Sequence, residues 1–176
     1  MRTRRINKLV VSLLKENGIR KAPVPVERVA KSQGFKIESS PFDGDISGMV
    51  YRDQEKEQII IGVNSNESEN RKRFTIAHEI GHALLHEGME VHIDKSYKVN
   101  LRSEVASQAV DIEEMEANRF AAELLMPEEF LKRDFNVSEM DPDDAEILIQ
   151  KLAKKYKVSA IAMSYRLLNL GIIDQT

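Results

Sequence analysis

Residues 74–86 read Phe-Thr-Ile-Ala-His-Glu-Ile-Gly-His-Ala-Leu-Leu-His, a pattern typical of a buried helix. Apolar side chains occur on nearly all sides of a helical projection, which predicts a buried helix from Arg71 to about His86. His78 and His82 are four residues apart, so their imidazoles leave the same face of that helix one turn apart. Two imidazoles in this arrangement can bind one zinc ion, and the spacing therefore predicts a metal site.

Two further residues of this helix support a hydrolytic site. Glu79 lies about 100° around the helix from His78, beside the metal position rather than on it. A carboxylate there can accept a proton from water, as in the His-Glu-x-x-His pattern of zinc hydrolases. Gly81 leaves the helix surface next to the ligands without a side chain, although glycine in a helix interior usually costs about 1 kcal/mol. The alternative is that both histidines are half-buried residues of an ordinary amphipathic helix.

A catalytic zinc also needs a third protein ligand. The chain has no cysteine, so that ligand must be His, Asp or Glu. His86 is disfavoured because it lies about 12 Å along the helix axis from His78, at about 1.5 Å per residue. We expect His86 to be a helix-end residue instead. His92 is disfavoured because its surrounding segment is irregular.

The preferred third ligand comes from a second helix, predicted over residues 112–126 and stopped by a proline. One face of this helix carries alanine, phenylalanine and leucine side chains, which predicts close packing against a neighbouring helix. Glu114 lies one turn before this face, and we predict a metal ligand there rather than a surface acid. Asn118 follows one turn later, where its side chain can hydrogen-bond a ligating histidine. Glu113 and Glu116 are predicted to be ordinary surface acids.

The remaining pattern predicts an α+β fold, in which a small antiparallel sheet packs on helices. Turn residues separate three strand-like segments and predict a three-stranded meander with the third strand central: Phe35–Ser39, Asp45–Arg52 and Gln58–Val63. The other predicted helices cover residues 4–17, 26–33, 128–133, 143–155 and 159–169. We expect a substrate peptide to add as a strand to an exposed sheet edge near residues 48–51.

The composition, with 41% hydrophobic and 31% charged residues, is typical of a globular protein. No apolar run approaches the roughly 20 residues of a membrane-spanning helix, and the apolar stretch after the basic N-terminus is too short for a signal peptide. We therefore expect a cytoplasmic protein with no membrane partner. Residues 1–36 are mainly basic and residues 104–146 mainly acidic, which we interpret as solvated helix faces rather than a nucleic-acid arm.

Over nearly all of residues 6–130 the chain resembles the ImmA/IrrE-type zinc metallopeptidases, of the gluzincin group. The resemblance rests on Pro23–Pro25, Ser47-Gly48, Val63-Asn64, residues 73–82 and residues 114–127. It implies a zincin-like minimal peptidase in which His78, His82 and Glu114 bind Zn²⁺ and Glu79 is the catalytic base. For the residue that stabilises the oxyanion, the sequence leaves three candidates: Tyr97, His92 and Arg119.

The resemblance also implies a biological role. Members of this family typically cleave a helix-turn-helix repressor, often encoded beside them, and so relieve repression during stress or mobile-element induction. We accordingly predict a metallopeptidase domain over residues 1–134 and a helical extension over residues 135–176, packed on the same domain.

An alternative is a DNA- or protein-binding regulatory module with a structural or latent metal site. Residues 158–170 resemble the second helix of a helix-turn-helix motif. The isoelectric point near 5.9 and the few basic residues of this tail favour a packing helix, so we expect no nucleic-acid partner.

Overall fold

The computed structural model describes residues 2–86, 91–95, 107–135 and 145–173. Within these ranges the predicted helices are all present, and the α+β class is confirmed. The start of the helix predicted at 143–155 lies outside the described residues. In chain order the elements are α1 (Arg2–Glu16), α2 (Val26–Ser32), β1 (Lys36–Ser40), β2 (Ile46–Asp53), β3 (Gln58–Asn64), α3 (Glu69–Leu85), β4 (Val91–Lys95), α4 (Ser107–Leu125), α5 (Glu128–Asp134), α6 (Ala145–Tyr156) and α7 (Ala160–Asn169).

The sheet is mixed, and its strand order is β1-β3-β2-β4. β3 lies between β1 and β2, so the prediction that it is central is confirmed. The predicted antiparallel meander is wrong, because β1 pairs with β3 in parallel, with Lys36 opposite Ile60. Among the described strands, only β2 and β3 form a hairpin. Turn residues mark where a strand ends, but they do not determine which neighbour the next strand pairs with.

The described sheet has a fourth strand, whereas the sequence predicted three. β4 pairs antiparallel with β2, with Val91 opposite Tyr51 and Ile93 opposite Met49. β2 is therefore an internal strand over residues 48–51, and the expected substrate edge there is wrong. Among the described strands β4 is the last on that side of the sheet.

Helices α3 and α4 pack closely against each other, and α3 also contacts β2 and β3. Gly81 makes the helix–helix approach possible. A Cβ atom at this position would lie 3.1 Å from the Cα of Ala117 and 3.1 Å from the ring of Phe120. Both of those residues are fully buried. The absence of a side chain at Gly81 thus lets the backbone of α4 lie directly against the helix that carries the paired histidines.

Helix α7 packs on α4 through a buried ion pair. The Arg166 guanidinium pairs with the Glu123 carboxylate, and both side chains are almost completely buried. Arg166 Nε also donates to the carbonyl oxygen of Met126 at 3.0 Å. These contacts are those of a packing helix. No helix in the described ranges is both long enough and apolar enough to cross a bilayer.

Candidate metal centre

The paired histidines of α3 meet as their spacing predicts. Ser68 caps the helix by accepting a hydrogen bond from the backbone N–H of Arg71. His78 and His82 then lie on one buried face, with their Nε2 atoms 3.0 Å apart. Their exposed fractions are only 2% and 1%, so both rings have lost nearly all contact with water.

Helix α4 brings a carboxylate to the same point. The Glu114 carboxylate lies 3.4 Å from His78 Nε2 and 3.3 Å from His82 Nε2. The structure therefore brings together the three residues that the sequence selected as ligands. This arrangement depends on the close approach of α3 and α4 at Gly81.

A fourth group joins them from β4. His92 Nε2 lies 3.3 Å from the Glu114 carboxylate, and its ring stacks on that of His82 with centroids 3.7 Å apart. His78, His82, His92 and Glu114 each offer one ligand atom, and these atoms all lie within 4.8 Å of one another. The sequence disfavoured His92 as a ligand because its surrounding segment is irregular. The alternating apolar residues Val91 and Ile93 are a signal for a strand there. In the structure both are exposed, so residue 92 lies on the opposite face of the strand.

The electrostatics of the group suit a cation. Burial lowers the pKa of His82, and the hydrogen bond with Glu114 only partly opposes this effect. Burial tends to raise the pKa of Glu114, but the hydrogen-bonding and charge interactions with the imidazoles of His78 and His82 outweigh it and hold that pKa far below its usual value. Neutral imidazoles and an ionised carboxylate are the forms that bind metals. Nitrogen and carboxylate oxygen donors in this number fit zinc.

The Nδ1 atoms of His78 and His82, on the far side of each ring from Glu114, have different partners. His78 Nδ1 lies 3.1 Å from Asn118 Oδ1, the contact that the sequence predicted for Asn118. His82 Nδ1 lies 3.1 Å from His86 Nδ1, and His86 Nε2 lies 3.3 Å from a Glu116 carboxylate oxygen. His86 is the C-cap residue of α3, as expected for a helix end. The expectation that Glu116 is an ordinary surface acid is wrong, because it contacts a buried histidine.

The predicted base, Glu79, is fully buried between α3 and the sheet. It is not a member of the four-residue donor group. Its carboxylate instead faces β2 at Gly48, where an added Cβ atom would lie 3.3 Å from Glu79 Oε1. The same Cβ atom would lie 2.2 Å from the γ-methyl group of Thr75. Gly48 therefore makes room for the side chains of α3 that face the sheet.

Substitution of Gly48 by alanine should disturb this packing. We expect Gly48→Ala to lower the free energy of unfolding by about 1–3 kcal/mol, because the added methyl group overlaps Thr75. Urea unfolding measures this effect. Thr75→Ser removes the overlapping methyl group, so the double variant should recover stability; no recovery would contradict the steric explanation.

The three oxyanion candidates have different positions. His92 lies in the donor group, whereas Arg119 is exposed on α4. Tyr97 lies outside the described residues. Of the two candidates that the structure describes, His92 is the one adjacent to Glu114.

Comparison with known proteins identifies related sequences. The family model described as the IrrE N-terminal-like domain, Peptidase_M78, matches residues 30–168. An uncharacterized immunity region protein 2 of Bacillus phage phi105 is 32% identical over 104 residues, which cover 59% of this chain and 59% of that protein. Metallopeptidase ImmA of Bacillus subtilis (strain 168) is 27% identical over 128 residues, which cover 73% of this chain and 66% of ImmA.

A solved structure shares the fold. A Mycobacterium tuberculosis transcriptional regulator superposes on 94% of this chain with a TM-score of 0.58, at 13% sequence identity. This similarity covers 46% of that protein. The chain thus matches less than two thirds of the length of each of these three proteins.

Proposed function

This chain belongs to the ImmA/IrrE-type metallopeptidase family, and on that premise we propose that it is a zinc-dependent endopeptidase acting on a partner protein. The observation that carries the proposal is the convergence of two buried imidazole nitrogens and one carboxylate within 3.0–3.4 Å. His78, His82 and Glu114 are the proposed zinc ligands. Glu79 is the proposed general base.

The proposed reaction is hydrolysis of a peptide bond. Zinc, when bound, supplies a Lewis acid that polarises the scissile carbonyl and lowers the pKa of water towards about 7. Glu79 accepts a proton from the attacking water and passes it to the leaving amine. The hydroxyl group of that water joins the carbonyl carbon, and the carbon–nitrogen bond of the peptide breaks to release the amine. Burial of Glu79 keeps its carboxylate away from bulk solvent, and Asn118 orients the ring of His78.

We propose that His92 stabilises the negative charge that develops on the carbonyl oxygen, because its ring borders the ligand group. The same contact supports a second candidate function. If His92 were a fourth ligand, the site would be closed, as structural zinc sites are, and the enzyme latent.

Substitution of His92 separates these two functions. If His92 stabilises the transition state, His92→Ala should lower kcat by about 10²-fold with zinc still bound. If His92 instead closes the site, the same variant should cleave faster than the wild type. Cleavage rates of zinc-loaded wild type and variant distinguish the outcomes. Ile161→Ala, at an exposed position of α7, is the control and should leave the rate unchanged.

The proposed substrate is a helix-turn-helix repressor, whose cleavage would relieve repression in stress or mobile-element induction. A relative encoded in a phage immunity region and the match to metallopeptidase ImmA support this choice. We propose that the substrate adds to the sheet along β4 and that cleavage occurs in the cytoplasm, where repressors bind DNA. Neither DNA nor a membrane is needed as a partner.

Co-expression with a repressor encoded in the adjacent reading frame tests the proposal. We expect a truncated repressor with the wild-type chain and an intact one with Glu79→Ala. Mass spectrometry of the fragments then identifies the cleaved bond. An intact repressor in both strains would contradict the proposed substrate, and cleavage in both would contradict the proposed mechanism.

A further inference from the structure

A line of three side chains runs from the proposed zinc site to the surface of α4. Its members are His82, His86 and Glu116. The two Nδ1 atoms of the histidines are 3.1 Å apart, and His86 Nε2 lies 3.3 Å from the Glu116 carboxylate. The side chains of His82 and His86 are 1% and 5% exposed, and that of Glu116 is 20% exposed. We propose that His86 and Glu116 are positioning residues that hold His82 in the tautomer required for zinc binding.

With a cation held between the ligand atoms, the direction of each hydrogen bond follows from the proton count. A neutral imidazole carries one N–H group, so two facing Nδ1 atoms need one donor and one acceptor. A carboxylate accepts only, and Glu116 therefore requires the proton of His86 on Nε2. His86 Nδ1 must then accept, and His82 Nδ1 must donate. This leaves the lone pair of His82 on Nε2, the atom that faces Glu114 and His78.

With that cation in place, the opposite polarity is unfavourable at both ends of the line. It would turn the His86 Nε2 lone pair towards the Glu116 carboxylate, so two acceptors would face each other at 3.3 Å. It would also place the proton of His82 on Nε2, which removes the lone pair that binds a metal. Glu116 thus selects the ligand tautomer of His82 through the intervening ring of His86. The inference rests on the proposed zinc site.

The end of α3 is held in place for this contact. His86 leaves the helix in an extended conformation, with φ −116° and ψ 102°. Arg52 of β2 donates to the carbonyl oxygens of Ala83 and His86, at 2.9 and 3.3 Å. These bonds fix the backbone from which the His86 ring projects. The Nδ1 atom of His78 contacts the amide oxygen of Asn118 instead of a second imidazole, so the two proposed histidine ligands are supported by different chemistry.

Zinc affinity tests the inference directly. We expect His86→Leu, which has no acceptor, to weaken zinc binding by about 10–100-fold, measured by competition with a chelator. His86→Asn places an amide oxygen near the Nδ1 position and should retain most of the affinity. Glu116→Ala should weaken binding, whereas Glu116→Gln still offers an oxygen acceptor and should do so less. The visible absorption of the cobalt-loaded protein should shift in His86→Leu, because the ring of His82 is no longer held.

The comparison of variants separates positioning from general stability. The double variant His86→Leu/Glu116→Ala should bind zinc as weakly as His86→Leu alone, because both residues act through one contact chain. Glu113→Ala, on the same helix and outside the line, should match the wild type. If His86→Leu fails to fold, the zinc affinities of His86→Asn and Glu116→Ala are compared instead. Retained affinity in His86→Asn with weakened affinity in Glu116→Ala supports the inference, and equal affinities contradict it.

Several results would overturn the inference. If His86→Leu and Glu116→Ala bind zinc as tightly as the wild type and show an unchanged cobalt spectrum, His86 and Glu116 are not positioning residues. The proposed peptidase function is unaffected by that result. Additive losses in the double variant would also reject the inference. If the wild-type chain binds no zinc, the proposed metal site is wrong, and so is the positioning role of His86 and Glu116.

Discussion

Glu79→Gln is expected to lower kcat/KM for repressor cleavage by about 10²–10⁴-fold while zinc binding stays unchanged. The amide has the size of the carboxylate but cannot accept the proton of the attacking water. Glu79 is fully buried and lies outside the donor group, so the substitution should not remove a ligand. Steady-state kinetics with purified protein measure the rate, and metal analysis measures bound zinc.

A matched control exists on the same helix. Glu69→Gln is the same chemical change in α3, at a side chain that is 85% exposed and paired with Lys72. It should cleave at the wild-type rate. Glu79→Gln that keeps more than a tenth of the wild-type rate would show that another group is the base. Equal losses in both variants would indicate a general effect of the substitution on α3.

Glu114→Ala is expected to weaken zinc binding by more than the roughly 10–100-fold that loss of a supporting residue costs. Its carboxylate is the one acidic member of the donor group in the described residues. The effect should also appear in stability, because a ligand that binds only the folded chain stabilises it. Zinc at about 100 times its Kd should raise the wild-type free energy of unfolding by about 2.7 kcal/mol. The variant should lose this increment at the same zinc concentration.

Urea unfolding with and without zinc, after removal of metal by a chelator, measures that increment. Glu113→Ala is the matched control, since it removes a carboxylate from the neighbouring position of α4. It should respond to zinc as the wild type does. Full zinc stabilisation of Glu114→Ala would contradict the proposed ligand set. If stabilisation then disappeared in Glu114→Ala/His92→Ala, His92 would be the ligand that replaces the carboxylate.

Some features followed from local sequence alone. Helical periodicity has a fixed angle per residue, so His78 and His82 had to share a face and Glu79 had to lie beside it. The same rule placed Glu114 and Asn118 one turn apart on α4. A proline or glycine two residues after the last helical residue marked the ends of α1, α2, α4 and α7. These inferences succeeded because the interacting residues are neighbours in the chain.

Other features needed residues that are distant in the chain. β1 and β3 pair in parallel although β2 separates them in sequence. The residues of the turn after β1 do not indicate that pairing. The contact of His92 with Glu114 requires β4 to pair with β2. Glu116 reaches His86 only because α3 and α4 cross closely at Gly81.

The local sequence by itself determined the helices, the paired imidazoles and the carboxylates on each helix face, since these depend on a repeat of 3.6 residues. Tertiary structure alone decided that the two faces meet, that a strand brings a third histidine to them, and that Glu116, expected to be a surface acid, contacts a buried histidine. Strand pairing and helix crossing depend on which surfaces can be buried together, and that is a property of the whole chain.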